Sequence, residues 1–138
     1  MVSSKKKILK NLANTYCRIK FSRLSGVGVF AIRDISSGIN PFTGAKNQKW
    51  IKFRVSELKG LDGEIFRMVD DFFVIEEDST IYIPETGLNG IDISFFVNHS
   101  KNHNLKYLEN SQNFMTIKKI KKGQELTADY SSYDPKYA

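Results

Sequence analysis

The sequence is poor in the residues that stabilise secreted and metal-bound domains. Its one cysteine, Cys17, excludes an internal disulfide and a cysteine-only zinc site. The longest unbroken apolar runs are short, such as "FFVI" at 72–75, whereas a membrane span needs roughly 20 apolar residues. The N-terminal "MVSSKKKILKNLANTYC" is basic but lacks the long apolar core of a signal peptide. We therefore expect an intracellular protein with no membrane segment, in either cytoplasm or nucleus.

Acidic side chains are outnumbered, 15 against 21 lysines and arginines, which gives a net charge of +6 over 138 residues. Such a balance favours acidic partners, whether nucleic acid, an acidic protein or an anionic cofactor. Two lysine clusters carry much of the charge: Lys5, Lys6 and Lys7, then Lys118, Lys119, Lys121 and Lys122. Such clusters commonly only keep a domain soluble. Direct nucleic-acid binding and a homodimer are left open.

Short strands dominate the predicted secondary structure. Alternating or β-branched patterns predict strands at 27–32, 49–55, 72–77, 80–84, 91–97 and 113–120, with a short strand in "ELTADY" at 125–130. The strands at 72–77 and 80–84 would form a hairpin around Asp78. A helix of a few turns fits 56–72, where Gly60 and Gly63 limit its length, and a second short helix fits 5–16. This pattern predicts one mostly β domain, either all-β or a β-rich α+β fold.

Two glycines stand before the first strong strand in "SRLSGVGVFA", residues 22–31. Gly26 and Gly28 permit a left-handed backbone and leave it bare, so that a ligand can approach closely. Taken alone, the pair is explained better by a plain hairpin. A phosphate loop does not explain it, because a third glycine at dinucleotide spacing and a Gly-Lys-Ser/Thr ending are both missing.

An apolar run breaks into polar residues at "FFVNHSKNHN", residues 95–104. The side chains of Asn98, His99 and Asn104 need partners if they are buried, because an unpaired buried amide costs about 1–3 kcal/mol. Local backbone or a ligand could supply those partners. Zinc on His99 and His103 is disfavoured, because the segment is not helical and its neighbours supply no good third ligand.

A third motif, "GQELTADYSSYD" at 123–134, carries Tyr130 and Tyr133. Alone, such tyrosines are usually half-buried packing groups. Together, and in this order from Tyr16 to Tyr133, the three motifs resemble the SET domain family of lysine methyltransferases. The resemblance implies small curved sheets with a C-terminal pseudoknot that interlocks "FVNHS" and "LTADYSSY". It divides the chain into a basic segment, 1–14, and a SET domain, 15–138, without the cysteine-rich C-terminal module of many relatives.

The resemblance also implies roles for individual residues. The cofactor S-adenosylmethionine, converted to S-adenosylhomocysteine, would contact the backbone of Gly26, Val27 and Gly28, the amide of Asn98 and the backbone of His99. Tyr133 or Tyr137 would stack on its adenine. Tyr130 would be catalytic, and Phe96, Ala128 and Tyr130 would line the lysine channel. No metal is expected.

The implied activity is protein-lysine N-methyltransfer to a protein substrate, histone or other. The basic surface favours an acidic or nucleic-acid-associated target. The sequence departs from the family at Lys101 and His103, where Cys and Pro are usual. These departures and Ala128 support the alternative, an inactive SET-like basic adaptor that binds nucleic acid or an acidic protein. The joint presence of the family's site residues supports the enzyme instead: Gly26, Gly28, Asn98, His99 and Tyr130. The small Ala128 leaves room for more than one methyl group.

Overall fold

The computed structural model describes residues 4–42, 49–108 and 113–138. The helices are α1 (Ser4–Ala13) and α2 (Gly63–Phe72). The strands are β1 (Cys17–Phe21), β2 (Val27–Ala31), β3 (Trp50–Arg54), β4 (Thr80–Pro84), β5 (Asn98–His99), β6 (Leu105–Leu108), β7 (Asn113–Thr116) and β8 (Glu125–Ala128). Short 3₁₀ turns connect several of them. Among the described residues, no helix is long and apolar enough to cross a membrane.

The larger sheet contains strands from both the N-terminal and the C-terminal parts of the chain, arranged around β8. Its strand order is β1-β2-β8-β6-β7, and β5 also pairs with β8. Contacts of β8 with β2 are antiparallel, whereas those with β5 and β6 are parallel. Asn98 lies opposite Thr127 and His99 opposite Ala128. The two segments predicted to interlock are therefore neighbours in one sheet, while the threading of a pseudoknot stays a prediction.

A hydrophobic core fills the space against this sheet. Val29, Ile35, Leu105, Ile120 and Leu126 are fully buried within it. On β2, Val29 and Ala31 are both buried and lie on the same face of the pleated strand, which packs inward. β8 is buried at three successive residues, 126–128, because neighbours flank it on both edges. The C-terminal tyrosines follow this central strand in the chain, so the sheet fixes their position.

A second, smaller core lies beneath the two-stranded sheet formed by β3 and β4. Val69 of α2 and Phe73 pack with Leu58 and Ile81. The helix begins where Asp62 accepts a hydrogen bond from the Glu64 backbone N–H at 2.9 Å, a favourable N-cap arrangement. It ends at Phe72, after which the chain becomes extended.

Most predicted elements are confirmed, and two are wrong. Residues 72–77 do not form a strand: Phe72 ends α2, Ile75 makes only an isolated bridge to Ile81, and β3 is the partner of β4. Residues 91–97 do not form a strand either, because Asp92 caps a 3₁₀ turn, Ile93–Phe96, by accepting from the Ser94 N–H. In both places a short apolar run packs on a core without a sheet partner, and periodicity does not separate these cases.

Candidate active site

The two glycines of the β1–β2 hairpin serve different needs. Gly26 has φ of +43°, a left-handed conformation, and no heavy atom lies within 4 Å of the position that a Cβ would occupy there. Its carbonyl accepts from the Ser22 N–H at 2.9 Å and closes the turn. At Gly28 a Cβ would lie 2.3 Å from Glu125 Oε2. Gly26 therefore leaves open space above the turn, whereas Gly28 lets a side chain from β8 approach the backbone.

Ser22, Glu125 and Asn98 form a polar network behind this hairpin. The buried Ser22 hydroxyl donates to Glu125 Oε1 at 2.8 Å. Asn98 Nδ2 lies 2.8 Å from Glu125 Oε2 and also within 3.2 Å of the carbonyl oxygens of Ser25 and Val27. One amide group has only two N–H bonds to share among these acceptors. Asn98 is thereby fixed against the glycine turn, while its contact with a cofactor stays a prediction.

Asn104 holds β8 in place through its side chain. Its Nδ2 donates to the Glu125 carbonyl at 2.9 Å, and its Oδ1 accepts from the Thr127 N–H at 2.9 Å. The Ser100 N–H also donates to the Ala128 carbonyl, at 3.1 Å. Of the polar groups in "NHSKNHN", Asn104 thus finds its partners in β8, and its role is structural.

Tyr130 lies beside the segment that carries Asn98. Its hydroxyl donates to the Val97 carbonyl, and its backbone N–H donates to His99 Nδ1 at 3.0 Å. The rings of His99 and Tyr130 are 5.3 Å apart between centroids, and that of Tyr137 lies 5.1 Å from Tyr130. Burial, with smaller contributions from nearby Tyr137 and acidic groups, raises the pKa of Tyr130 to about 12. Its hydroxyl is neutral at physiological pH.

Tyr133 packs into an aromatic cluster next to Tyr130. Its ring centroid lies 4.6 Å from that of Tyr107, 6.3 Å from Phe114 and 6.0 Å from Tyr130. Burial also raises the pKa of Tyr133. The side chain is half-buried against the main core, and its adenine-stacking role stays a prediction.

The two other predicted channel residues are at least partly buried. Phe96 is half-buried, and its ring contacts that of Phe72 at 5.7 Å. Ala128 is 1% exposed and belongs to the main core. Their roles in a lysine channel stay predictions. Within the described ranges, no group of three or more His, Cys, Asp or Glu side chains is arranged to hold a metal ion.

Two partners in the site were not predicted from the sequence: the Glu125 carboxylate and the Val97 carbonyl. Glu125 was visible only as the first residue of a predicted strand, and an acidic residue there is ordinarily a solvent-facing one. A backbone carbonyl has no sequence signature at all. What identifies both is the meeting of β8 with β2 and β5, which is a property of the tertiary fold.

The fold is shared with solved methyltransferase structures. A candidate histone methyltransferase from Plasmodium falciparum superposes with a TM-score of 0.52 at 18% identity, covering 84% of this chain and 93% of that one. Polycomb Repressive Complex 2 from Chaetomium thermophilum, in an autoinhibited conformation bound to S-adenosylmethionine, gives a TM-score of 0.53 at 22% identity. That match covers 88% of this chain but only 16% of the other. At these identities the likeness establishes the fold alone.

Comparison with curated proteins gave no significant match. The family model described as "SET domain" matches residues 26–131. This range contains the glycine pair, the polar segment that begins at Asn98, and Tyr130. The chain therefore belongs to the SET domain family.

Proposed function

We propose that this chain is a protein-lysine methyltransferase that uses S-adenosylmethionine. The observation that carries the proposal is a continuous series of contacts from the glycine turn to the tyrosine. The Val27 carbonyl lies 3.1 Å from Asn98 Nδ2, and the carbonyl of the preceding residue, Val97, accepts from the Tyr130 hydroxyl. Membership of the SET family and a structural neighbour bound to S-adenosylmethionine support the same activity.

The glycine turn fits the cofactor in two respects. The space above Gly26 is open, so a ligand can lie directly on the backbone. The Nδ2 group of Asn98 donates its hydrogen bonds to acceptors within the protein, while its Oδ1 accepts no hydrogen bond from the described residues. That oxygen would accept a hydrogen bond from the ammonium group of the cofactor's amino-acid end. Ser22 and Glu125 would keep the amide in this orientation.

The bound cofactor would supply a sulfonium methyl group and a positive charge. Its lysine acceptor must be a neutral amine, although lysine has a reference pKa of about 10.4. A nearby cation and an apolar channel both disfavour the ammonium form, so no strong general base is required of this chain. Its residues act by positioning and electrostatics.

Tyr130 would orient the substrate amine. Because its hydroxyl proton is directed to the Val97 carbonyl, the lone pairs of its oxygen are left to accept an N–H of the amine. The raised pKa, about 12, keeps this oxygen neutral, so it does not stabilise an ammonium ion as a phenolate would. The lone pair of the amine nitrogen would then point toward the methyl group. The small side chain of Ala128 predicts that more than one methyl group can be added. Mass spectrometry of the product tests this prediction.

A thermal-shift titration with S-adenosylmethionine tests cofactor use first. A ligand at 100 times its Kd adds about 2.7 kcal/mol to the free energy of unfolding, so a clear rise in Tm is expected. Methyl transfer to candidate proteins is then followed with a tritiated methyl group. Tyr130→Phe should keep the thermal shift and lose most transfer, while Lys106→Ala, at an exposed position of β6, should keep both. Full transfer by Tyr130→Phe would refute the role assigned to that residue.

The same titration separates the enzyme from the adaptor alternative. The residues that depart from the family pattern do not disturb the network: Lys101 is exposed, and the His103 ring lies 3.0 Å from the Lys101 carbonyl. We therefore favour the enzyme. An unchanged Tm at saturating cofactor would favour the adaptor.

A further inference from the structure

A cleft of about 530 Å³ opens between the turn before β4 and the C-terminal segment. One wall is the tight turn at 76–80, where the Ser79 N–H donates to the Glu76 carbonyl and the Glu76 N–H to the Thr80 carbonyl. The opposite wall consists of residues 131–135 and Ala138. Two segments that are distant in sequence thus form the two sides of one groove.

The groove lies next to the tyrosines of the candidate active site. Ser131, which follows Tyr130 in the chain, lines it, and so does Tyr133. The rings of Tyr133 and Tyr130 are 6.0 Å apart between centroids. A polypeptide that presents a lysine to Tyr130 would therefore place its neighbouring residues within reach of this cleft.

The charge of the cleft is opposite to that of the chain. Although the whole chain carries +6, the described lining has four carboxylates against the one ammonium of Lys52. The four are Glu76, Glu77, Asp78 and Asp134. A hydrogen bond from the Thr80 hydroxyl is the main cause that lowers the pKa of Asp78, so this group is ionised at neutral pH. The single lysine leaves the groove with a net negative charge.

We propose that this cleft holds the stretch of substrate next to the target lysine and selects substrates in which that stretch is basic. The proposal rests on the proposed methyltransferase function and names its substrate class. It reverses the expectation from composition, which favoured an acidic target. Charge complementarity acts where the substrate lies, and the basic surface elsewhere on the chain does not determine it.

Glu77 is the most suitable residue for a test of the proposal by substitution. It lines the cleft and makes no hydrogen bond or ion pair within the described residues, whereas Asp78 accepts from Thr80 and supports the turn. Glu77→Lys therefore changes charge without removing a structural contact. Asp134→Asn is a useful addition, because asparagine keeps an acceptor for the Lys136 N–H at 3.2 Å. Glu85→Lys, an exposed carboxylate outside the cleft, is the matched control.

The experiment uses the full chain and peptides with one lysine, flanked on both sides by arginine, serine or glutamate. We measure kcat/KM for methyl transfer, and peptide affinity by fluorescence anisotropy in the presence of S-adenosylhomocysteine. Arginine-flanked peptides should be preferred in both measurements, and added salt should weaken the preference. Asp134→Asn removes one charge and should reduce the preference about two- to fivefold, as expected for one exposed ion pair. Glu77→Lys changes the charge by two and should reduce the preference more. Glu85→Lys should leave it unchanged.

Equal affinity for arginine- and glutamate-flanked peptides would overturn the inference, as would a preference that survives in the Glu77→Lys and Asp134→Asn double variant. Binding of arginine-flanked peptides without transfer to any peptide would support the cleft and contradict the methyltransferase proposal. The two failures are therefore distinguishable.

Discussion

Asn98 Nδ2 lies 2.8 Å from Glu125 Oε2, and this contact joins the polar segment after Val97 to the first residue of β8. The same carboxylate accepts from Ser22, behind the glycine turn. Three segments separated by about a hundred residues of sequence, from Ser22 to Glu125, meet at one side chain. Glu125 therefore sets the position of the amide that we assign to the cofactor.

Gly28→Ala should disturb this junction. The added Cβ would lie 2.3 Å from Glu125 Oε2 and 2.9 Å from Asn98 Nδ2, and the carboxylate is held by Ser22, so it cannot move away freely. We expect a loss of about 1–3 kcal/mol in the free energy of unfolding, typical of overpacking. In a Glu125→Ala background the loss should be smaller by at least about 0.5 kcal/mol. Urea unfolding of the four proteins in the double-mutant cycle measures this coupling.

Gly26→Ala is the control for backbone strain alone. Nothing lies within 4 Å of its Cβ position, but φ is +43°, so a loss of about 1 kcal/mol is expected. That loss should be the same with or without Glu125→Ala. Equal behaviour of the two glycine variants in the cycle would contradict the clash at Gly28.

Asn104→Ala should destabilise the sheet around β8. Asn104 is 9% exposed, and its side chain bonds the Glu125 carbonyl and the Thr127 N–H. Truncation would leave both backbone groups without these partners, at about 1–3 kcal/mol for each buried group. We expect a total loss of about 2–4 kcal/mol in the free energy of unfolding. Lys106→Ala, on the exposed side of β6, should change it by about 0.5 kcal/mol or less; similar values for the two variants would show that Asn104 is not a structural clamp.

The sequence predicts best those elements in which the pattern of residue types agrees with the local fold. The strand at Val27–Ala31 has β-branched and aromatic residues, the helix at Gly63–Phe72 has a capping residue before it, and the structure contains both elements. The segment before Val97 is apolar because it packs between the two cores, and its 3₁₀ turn depends on Asp92, whose capping role was not recognised. At the site, the sequence assigns the glycine pair and Asn98 to one cofactor, and that assignment stays a prediction. The sequence does not predict the acidic cleft, because the cleft depends on two distant segments whose charges are averaged in the composition.

Removal of residues 1–12 should leave the stability of the domain nearly unchanged. α1 buries no residue, and Ile8, Leu9 and Leu12 are 56–66% exposed. Its backbone bonds to the next residues are local, such as that from the Thr15 N–H to the Leu12 carbonyl. We expect a change of about 0.5 kcal/mol or less in the free energy of unfolding, the usual scale for surface positions. Tyr16, which packs against the main core, offers the contrast: Tyr16→Ala in the full chain should cost more, and a larger loss from the truncation would show that α1 belongs to the domain.

The titration of Tyr130 should appear in the pH dependence of stability. Burial raises its pKa in the folded protein from 10.0 to about 12, so between these values the unfolded chain releases the proton first and the folded chain retains it. The unfolded state then binds fewer protons, and the free energy of unfolding falls as pH rises. The contribution is fully present below about pH 10 and is lost as pH approaches 12. Tyr130→Phe lacks this group, so its free energy of unfolding should fall less steeply than that of the wild type over the same interval.

Urea unfolding at several pH values across that interval measures the two slopes. Loss of the hydrogen bond to the Val97 carbonyl shifts the Tyr130→Phe curve by a constant amount, and it does not change the slope below the onset of titration. If Tyr130→Phe has the wild-type slope, the phenol ionises as freely in the folded site as in water, which would contradict its burial and its hydrogen bond to the Val97 carbonyl.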